Sequence, residues 1–185
     1  MPLMPSGAPA TLQHEDIARR IPHQGSMCLL ERVTAWDANQ ITCEANSHRA
    51  ADNPLRAHGR LGASCGIEYA AQAMAMHGAL IAEALFSADG AIPEPQVGYL
   101  ASVRSVTLHV ERLDDFSGSL TIQAERMSGD AGTILYNFSL HAGPALLLAG
   151  RAVVVLNAAG LTMPLAGRTS KPGDLAAPAS TAHIL

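Results

Sequence analysis

The stretch 63–85 constrains the fold of this chain more than any other part of it. It is rich in Ala, with Met, Leu and Glu, and it contains no Pro, so intrinsic propensity predicts a long helix. Small or apolar residues occur on almost every side of that helix, whereas a helix on a protein surface has one polar face. The composition therefore predicts a central helix around which the rest of the chain folds.

Segments typical of β-strands account for most of the remaining chain. A short helix over 13–20, with Thr11 as its cap, is predicted first, followed by strands over 27–34 and 40–46 that are joined by a turn at 37–39. After the long helix, β-branched residues and breaks at Gly or Asp predict four more strands: 96–112, 118–127, 133–141 and 145–156.

The order of these elements indicates the fold class. No helix separates the last four strands, which argues against a parallel βαβ fold. An antiparallel sheet of five or six strands wrapped around one long central helix, an α+β architecture, fits the order. At 185 residues one domain is expected. We assign it to 11–157, with an N-terminal arm over 1–10 and a flexible C-terminal tail over 158–185.

Composition and charge exclude several classes of function. The net charge is −4, and seven Phe, Trp and Tyr residues offer little for stacking bases, so nucleic-acid binding is not expected. The most apolar stretch, 145–156, is interrupted by Gly150 and Arg151 and is shorter than the roughly 20 residues that cross a bilayer. Three cysteines without paired spacing are typical of a reduced compartment, so we expect the cytoplasm. No phosphate-binding glycine loop or metal-ligand cluster occurs, so neither cofactor nor metal is predicted.

Glu68 is the most informative single residue. It lies in the first turns of a helix that is otherwise apolar, so its carboxyl group is expected either in solvent or in a pocket where it can exchange protons. Gln72 is four residues on, on the same helix face, and its amide is suited to orient that carboxyl group. The alternative is a surface Glu68 that merely complements the positive end of the helix dipole.

Three segments together resemble a known family. They are Ile-Pro-His-Gln-Gly-Ser-Met-Cys-Leu-Leu-Glu-Arg-Val at 21–33, Gly-Arg-Leu at 59–61 and Gly-Ile-Glu-Tyr-Ala-Ala-Gln-Ala-Met-Ala at 66–75. The first and third segments resemble bacterial 3-hydroxyacyl-(acyl carrier protein) dehydratases, which have the hotdog fold. The second and third are closer still to the hotdog dehydratase subunit of aryl polyene pigment biosynthesis.

The resemblance implies a dehydratase, or a dehydratase subunit, of fatty acid or aryl polyene type biosynthesis. In that family a histidine on the loop before the helix removes the α-proton of a 3-hydroxyacyl thioester, and an acid on the helix helps to expel the hydroxyl group as water. The acid corresponds to Glu68, which we take as the catalytic residue. The residues implied around the substrate are Asn53, Gly62, Cys65 and Gln72.

This chain departs from the family at the loop histidine. Where the family has His-Pro it has Asn53-Pro54, and asparagine cannot take up a proton at neutral pH. His48 and His58 flank that position and are weak candidates for the base, since most loop histidines are simply solvated. His23 is interpreted as ordering the 21–33 segment. We expect His77 to lie too deep along the helix to reach the thioester. Cys65 is better explained as a small buried side chain than as part of the pocket.

The missing histidine suggests how the chain works with others. Hotdog active sites lie between two subunits, so the resemblance implies a homodimer, or a heterodimer with a second hotdog subunit that supplies the histidine. Acyl carrier protein is acidic, which makes three loop residues candidates for docking it: Arg49, Arg56 and Arg60. Two alternatives remain open at this point, a hotdog acyl thioesterase and a non-catalytic acyl-binding partner subunit.

Overall fold

The computed structural model describes residues 11–86, 98–130 and 132–156. The predicted arm over 1–10 and tail over 158–185 lie outside the described residues, as does the start of the strand predicted over 96–112. The elements, in chain order, are β1 Leu12–Gln13, α1 His14–Ala18, β2 Arg32–Trp36, β3 Gln40–Ala45, α2 Gly66–Phe86, β4 Gly98–Leu108, β5 Leu120–Gly129, β6 Thr133–Ala142 and β7 Ala145–Leu156.

All strands belong to one antiparallel sheet in the order β1-β2-β3-β5-β6-β7-β4. The six longer strands correspond to the predicted ones, and the two-residue β1 makes a seventh, one more than the range expected. The predicted turn at 37–39 is present because the Asp37 carboxylate accepts hydrogen bonds from the backbone N–H groups of Asn39 and Gln40, at 2.7 and 3.0 Å.

The long helix is buried as the sequence predicts. Helix α2 contacts β3, β5 and β6, whose alternate residues face it. The helix contributes mostly apolar side chains to the core: Tyr69, Ala70, Ala73, Met74, Met76 and Leu80. An antiparallel sheet wrapped around a single helix is the hotdog fold, so the predicted fold class is confirmed.

The strand predicted over 27–34 is wrong at its beginning, because β2 starts only at Arg32. A 3₁₀ turn, Gly25–Met27, occupies the preceding residues. The backbone N–H of Leu29 donates to the Gln72 side chain and its carbonyl accepts from Ser47 Oγ, so side chains replace the strand neighbour that a ladder would need. The segment is buried and apolar like a strand, but it lacks a strand's partner.

The cap predicted at Thr11 is also wrong. Helix α1 begins at His14, and the residue before it, Gln13, is its N-cap. The Gln13 backbone N–H donates to Asp16 Oδ2 at 3.0 Å, as in the reciprocal half of a capping box. Leu12, which follows Thr11, pairs instead with Val33 of β2. The cap therefore lies two residues later than predicted, and the helix begins one residue later.

Gly66 allows α2 to approach the sheet closely at its first turn. A Cβ atom at this position would lie 2.2 Å from Leu148 Cδ2 and 2.9 Å from Leu140 Cδ2, which is far inside van der Waals contact. Both leucines are fully buried, so neither can turn away into solvent. The absent side chain therefore sets the depth of the helix start, two residues before Glu68.

We expect Gly66→Ala to lower the free energy of unfolding by about 1–3 kcal/mol, because the added methyl group overpacks the core. Gly78→Ala is the matched control: it lies in the same helix with nothing within 4 Å of the added Cβ. That change should be neutral or stabilising by up to about 1 kcal/mol from helix propensity alone. Urea unfolding of both variants measures the difference, and equal effects would contradict the proposed close contact.

Candidate active site

Glu68 lies in the first turn of α2, and its carboxylate is held from within the chain. Its side chain is 31% exposed, so a substrate can reach it. The Gln72 amide donates to Oε1 at 3.0 Å, as the spacing of four residues predicts. His23 Nε2 lies 3.0 Å from the same oxygen. The carboxylate is thus neither simply solvated nor fully buried.

The fully buried side chain of Gln72 connects Glu68 to the 21–33 segment. Its Oε1 accepts from the Leu29 backbone N–H at 2.9 Å, and its Nε2 donates both to Glu68 and to the Met27 carbonyl, at 2.8 Å. All the hydrogens of the amide and its oxygen therefore have partners. This side chain therefore helps to fix the segment that carries His23 to the helix that carries Glu68.

Asn53 is 5% exposed, and its amide is used entirely inside the chain. Its Nδ2 donates to the Ser47 carbonyl at 2.9 Å and to Tyr69 Oη at 3.0 Å, and its Oδ1 accepts from the Leu55 N–H at 2.9 Å. Ser47 Oγ gives its only hydrogen to the Leu29 carbonyl, so the Tyr69 hydroxyl donates to Ser47. These bonds hold the 47–56 loop against the start of α2.

We predict that Asn53→Ala lowers the free energy of unfolding by about 1–3 kcal/mol, because it leaves buried polar groups without partners. Asn39→Ala serves as the control, since Asn39 is exposed in the turn before β3 and surface changes of this kind stay within about 0.5 kcal/mol. Thermal unfolding of the two variants provides the comparison. A loss no larger than that of the control would mean that the Asn53 network does not hold the loop.

Gly62 and Cys65, the other two residues expected near the substrate, lie at the 3₁₀ turn Ala63–Cys65 that leads into α2. Gly62 forms a β-bridge with Arg112, and the Cys65 thiol lies 3.6 Å from the Leu55 carbonyl. Burial raises the pKa of the Cys65 thiol, which disfavours the reactive thiolate. Both residues help to position the start of the helix, and neither hydrogen-bonds Glu68.

Three of the histidines considered from sequence lie in other surroundings. His48 is buried, with Nε2 3.0 Å from the Phe116 carbonyl, and burial lowers its pKa. His58 is exposed on the loop in a left-handed backbone conformation, φ 52°. His77 is buried between the Tyr136 hydroxyl, at 3.0 Å, and the Asp37 carbonyl, at 2.8 Å. None of the three contacts Glu68.

His23 is the residue whose place at the site the sequence interpretation missed. The sequence predicts that His23 orders the 21–33 segment, and the structure places its ring against the Glu68 carboxylate. Its second ring nitrogen, Nδ1, is buried and has no hydrogen-bond partner among the described residues. The Pro-His pair of the 21–33 segment indicates that this histidine matters. Its contact with Glu68, 45 positions away, cannot be predicted from the local sequence pattern.

The guanidinium group of Arg56 is bound within the chain and has a structural role. It binds Asp114 at 2.9 Å and the carbonyls of Ala50 and His48, at 2.8 and 3.0 Å. Hydrogen bonds from Arg112, from the Leu61 N–H and from Arg56 hold the pKa of Asp114 well below its usual range. This buried cluster fixes the 47–62 loop to the segment after β4, so Arg56 is not available to a docking protein.

The described part of the chain contains neither a metal site nor a membrane-spanning helix. No group of three or more His, Cys, Asp or Glu side chains in those residues is arranged to hold a metal ion. In the same ranges, no helix is long and apolar enough to cross a membrane.

Comparison with known proteins bears on the family and on the fold. The model of the ApeP-like family, described as ApeP dehydratase, matches residues 15–162. The structure is similar to a chain of the dehydratase heterocomplex ApeI:P from Xenorhabdus doucetiae, with a TM-score of 0.64 and 22% identity over 76% of this chain and 90% of that chain. It is also similar to the E. coli PaaI protein from the phenylacetic acid degradation operon, with a TM-score of 0.50 and 11% identity over 77% and 88%. No curated protein matches in sequence.

Proposed function

Because this chain belongs to the ApeP-like dehydratase family, we propose that it is one subunit of a dehydratase that acts on 3-hydroxyacyl chains carried on acyl carrier protein. Its partner is a second hotdog subunit that supplies a histidine opposite Glu68. The products are the 2-enoyl thioester and water, in fatty acid or aryl polyene type biosynthesis. The three free cysteines support a reduced, cytoplasmic setting.

One observation carries the proposal of a shared site. Glu68 is partly exposed and held by a hydrogen bond from Gln72, while Asn53, which stands where the family has its loop histidine, is buried and bonded to the loop and to Tyr69. An asparagine offers no base, and here each polar atom of its side chain is already hydrogen-bonded within the chain. The chain therefore keeps the acid of the reaction and lacks the loop base.

The chemistry divides between the two subunits accordingly. The partner's histidine takes the α-proton, and the electrons of that C–H bond form the new double bond as the C–O bond at the 3-position breaks. Glu68 gives its proton to the departing hydroxyl group, which leaves as water. Positioned proton transfer of this kind contributes about 10²–10⁴ in rate. With only one of the two groups in place, the isolated chain is expected to be a poor dehydratase.

We predict that Glu68→Gln lowers the rate of the complex by about 10²–10⁴, since the amide keeps the shape but cannot give up a proton in the same way. Glu83→Gln is the control on the same helix, about 22 Å away along its axis, and it retains an acceptor for Arg20. Mass spectrometry of the loss of water from a 3-hydroxyacyl carrier protein follows turnover, by the chain alone and with its partner.

The other outcomes of that assay are informative. Rapid turnover by the isolated chain would contradict a shared site. Activity of the complex that is unchanged by Glu68→Gln would indicate a non-catalytic subunit, and release of free acid instead of water would indicate a thioesterase.

The edge strand β4 supports association with a partner. Among the described residues it pairs with β7 alone, so its other edge presents unpaired backbone groups. Three large apolar side chains on this strand are exposed: Tyr99, Leu100 and Leu108. Pairing with the edge strand of a second hotdog subunit would cover both the backbone groups and these side chains, and we propose this edge as the subunit interface, near which Glu68 is expected.

Light scattering of the purified chain, alone and mixed with the partner, should give at least a dimer at micromolar concentration. Leu108→Glu should weaken that assembly by placing a charge in the interface. Met127→Glu is the matched control, since Met127 is 51% exposed against 46% for Leu108 and lies on the interior strand β5. A monomer in both samples, or equal effects of the two changes, would contradict the proposed edge.

Docking of the acidic carrier protein is assigned to Arg49 and Arg60. Both are exposed on the 47–62 loop, near the start of α2. Arg49 is partly held by the Ser117 carbonyl and Asn46, at 3.0 and 3.2 Å, which reduces the entropy it would lose on binding. Arg56 is excluded from this surface by its bonds to Asp114.

A further inference from the structure

Dehydration needs only the acid and the base, so the contact between His23 and Glu68 requires its own explanation. We propose that His23 is a positioning residue: its Nε2–H occupies Oε1 of Glu68, so that the acidic proton resides on Oε2, the oxygen left for the substrate. This inference rests on the proposed dehydration and assigns a role within it to a residue that does not touch the substrate.

The two oxygens of Glu68 differ in their surroundings. Oε1 receives the Gln72 amide and lies beside His23 Nε2, both at 3.0 Å. Within the described ranges, no residue hydrogen-bonds Oε2. A proton on Oε1 would face the N–H groups of Gln72 and His23, whereas a proton on Oε2 faces no donor of the described residues. The pair of donors thus directs the proton to one side of the carboxyl group.

The second nitrogen of His23 identifies the tautomer. Nδ1 is buried and unpaired among the described residues. With hydrogen on Nδ1, a buried donor would have no acceptor, and the Nε2 lone pair would face an oxygen. With hydrogen on Nε2, the donor is used and only a lone pair is left unpaired. The second arrangement satisfies more of the polar groups, so His23 is a donor toward Glu68.

His77 provides the contrast within the same chain. Both of its ring nitrogens are bonded, one to Tyr136 Oη and the other to the Asp37 carbonyl, and it joins three elements of the core. Such a fully hydrogen-bonded, buried histidine is typical of a structural role in the core. His23 instead uses one nitrogen, on the carboxylate of the site.

The proton balance of the step is simple. Oε2 of Glu68 gives its proton to the departing hydroxyl group, the α-proton goes to the partner's histidine, and both groups return to their starting states by exchange with water. The His23 N–H stays on His23 throughout. As Glu68 becomes a carboxylate, the attraction between its Oε1 and the His23 Nε2–H strengthens, so this contact stabilises the transition state more than the bound substrate.

The test compares His23→Gln, His23→Asn and His23→Ala in the complex with the partner. A glutamine amide places its N–H near the position of Nε2, and an asparagine amide places it near Nδ1. We expect Gln to keep kcat within about tenfold of wild type. Asn and Ala should lower kcat about 10–100-fold with KM nearly unchanged, because they remove the N–H beside a developing charge. His58→Asn, at an exposed left-handed position that asparagine tolerates, should leave kcat unchanged.

Each alternative gives a different pattern. If Gln and Asn lower kcat equally, the ring only fills space or carries a proton, and the inference is overturned. If Ala does not assemble, the comparison of Gln with Asn decides alone, because both are amides. A wild-type complex that does not dehydrate the 3-hydroxyacyl carrier protein overturns the proposed function, and this inference with it; an active complex that is indifferent to Asn overturns the inference only.

Discussion

The buried amide of Gln72 is the interaction on which the arrangement of the site depends. It binds the carboxylate of Glu68 on its own helix and two backbone groups, at Met27 and Leu29, from a segment with no strand partner. A buried backbone group without a partner costs about 1–3 kcal/mol, so this side chain decides whether the 21–33 segment can lie against α2 at all. The position of this segment in turn sets the position of His23 beside Glu68.

The fold was predictable because its main determinants are local. The absence of polar residues around most of the 63–85 stretch predicts a wrapped helix, and the strands from β3 to β7 follow from alternation and breaks. The errors fall where side chains from distant positions intervene. The backbone of Leu29 is hydrogen-bonded to the side chains of Gln72 and Ser47. The apolar stretch predicted as a strand over 27–34 therefore forms strand hydrogen bonds only from Arg32 onward.

The site was predictable in part for the same reason. Glu68 and Gln72 are four residues apart on one helix, and their contact follows from helical geometry. The contact of His23 with Glu68 depends on how a loop is folded onto the helix, which no periodicity encodes. Likewise, the assignment of Arg56 to docking fails because Asp114, 58 positions away, binds its guanidinium group.

The loop and the acid together favour a divided active site over a purely structural subunit. Loss of the histidine alone would not require the loop to keep a fixed conformation. Here, however, Asn53 and Arg56 hold the loop at the start of α2 through bonds within the chain. A subunit with no chemistry would also have no reason to keep a half-buried carboxylate beside two donors, since an apolar residue would avoid the desolvation cost. The chain stabilises a geometry in which Glu68 is fixed and one oxygen is left open. That geometry suits a base that approaches from outside the chain, and within the described residues β4 leaves one edge unpaired for a second subunit.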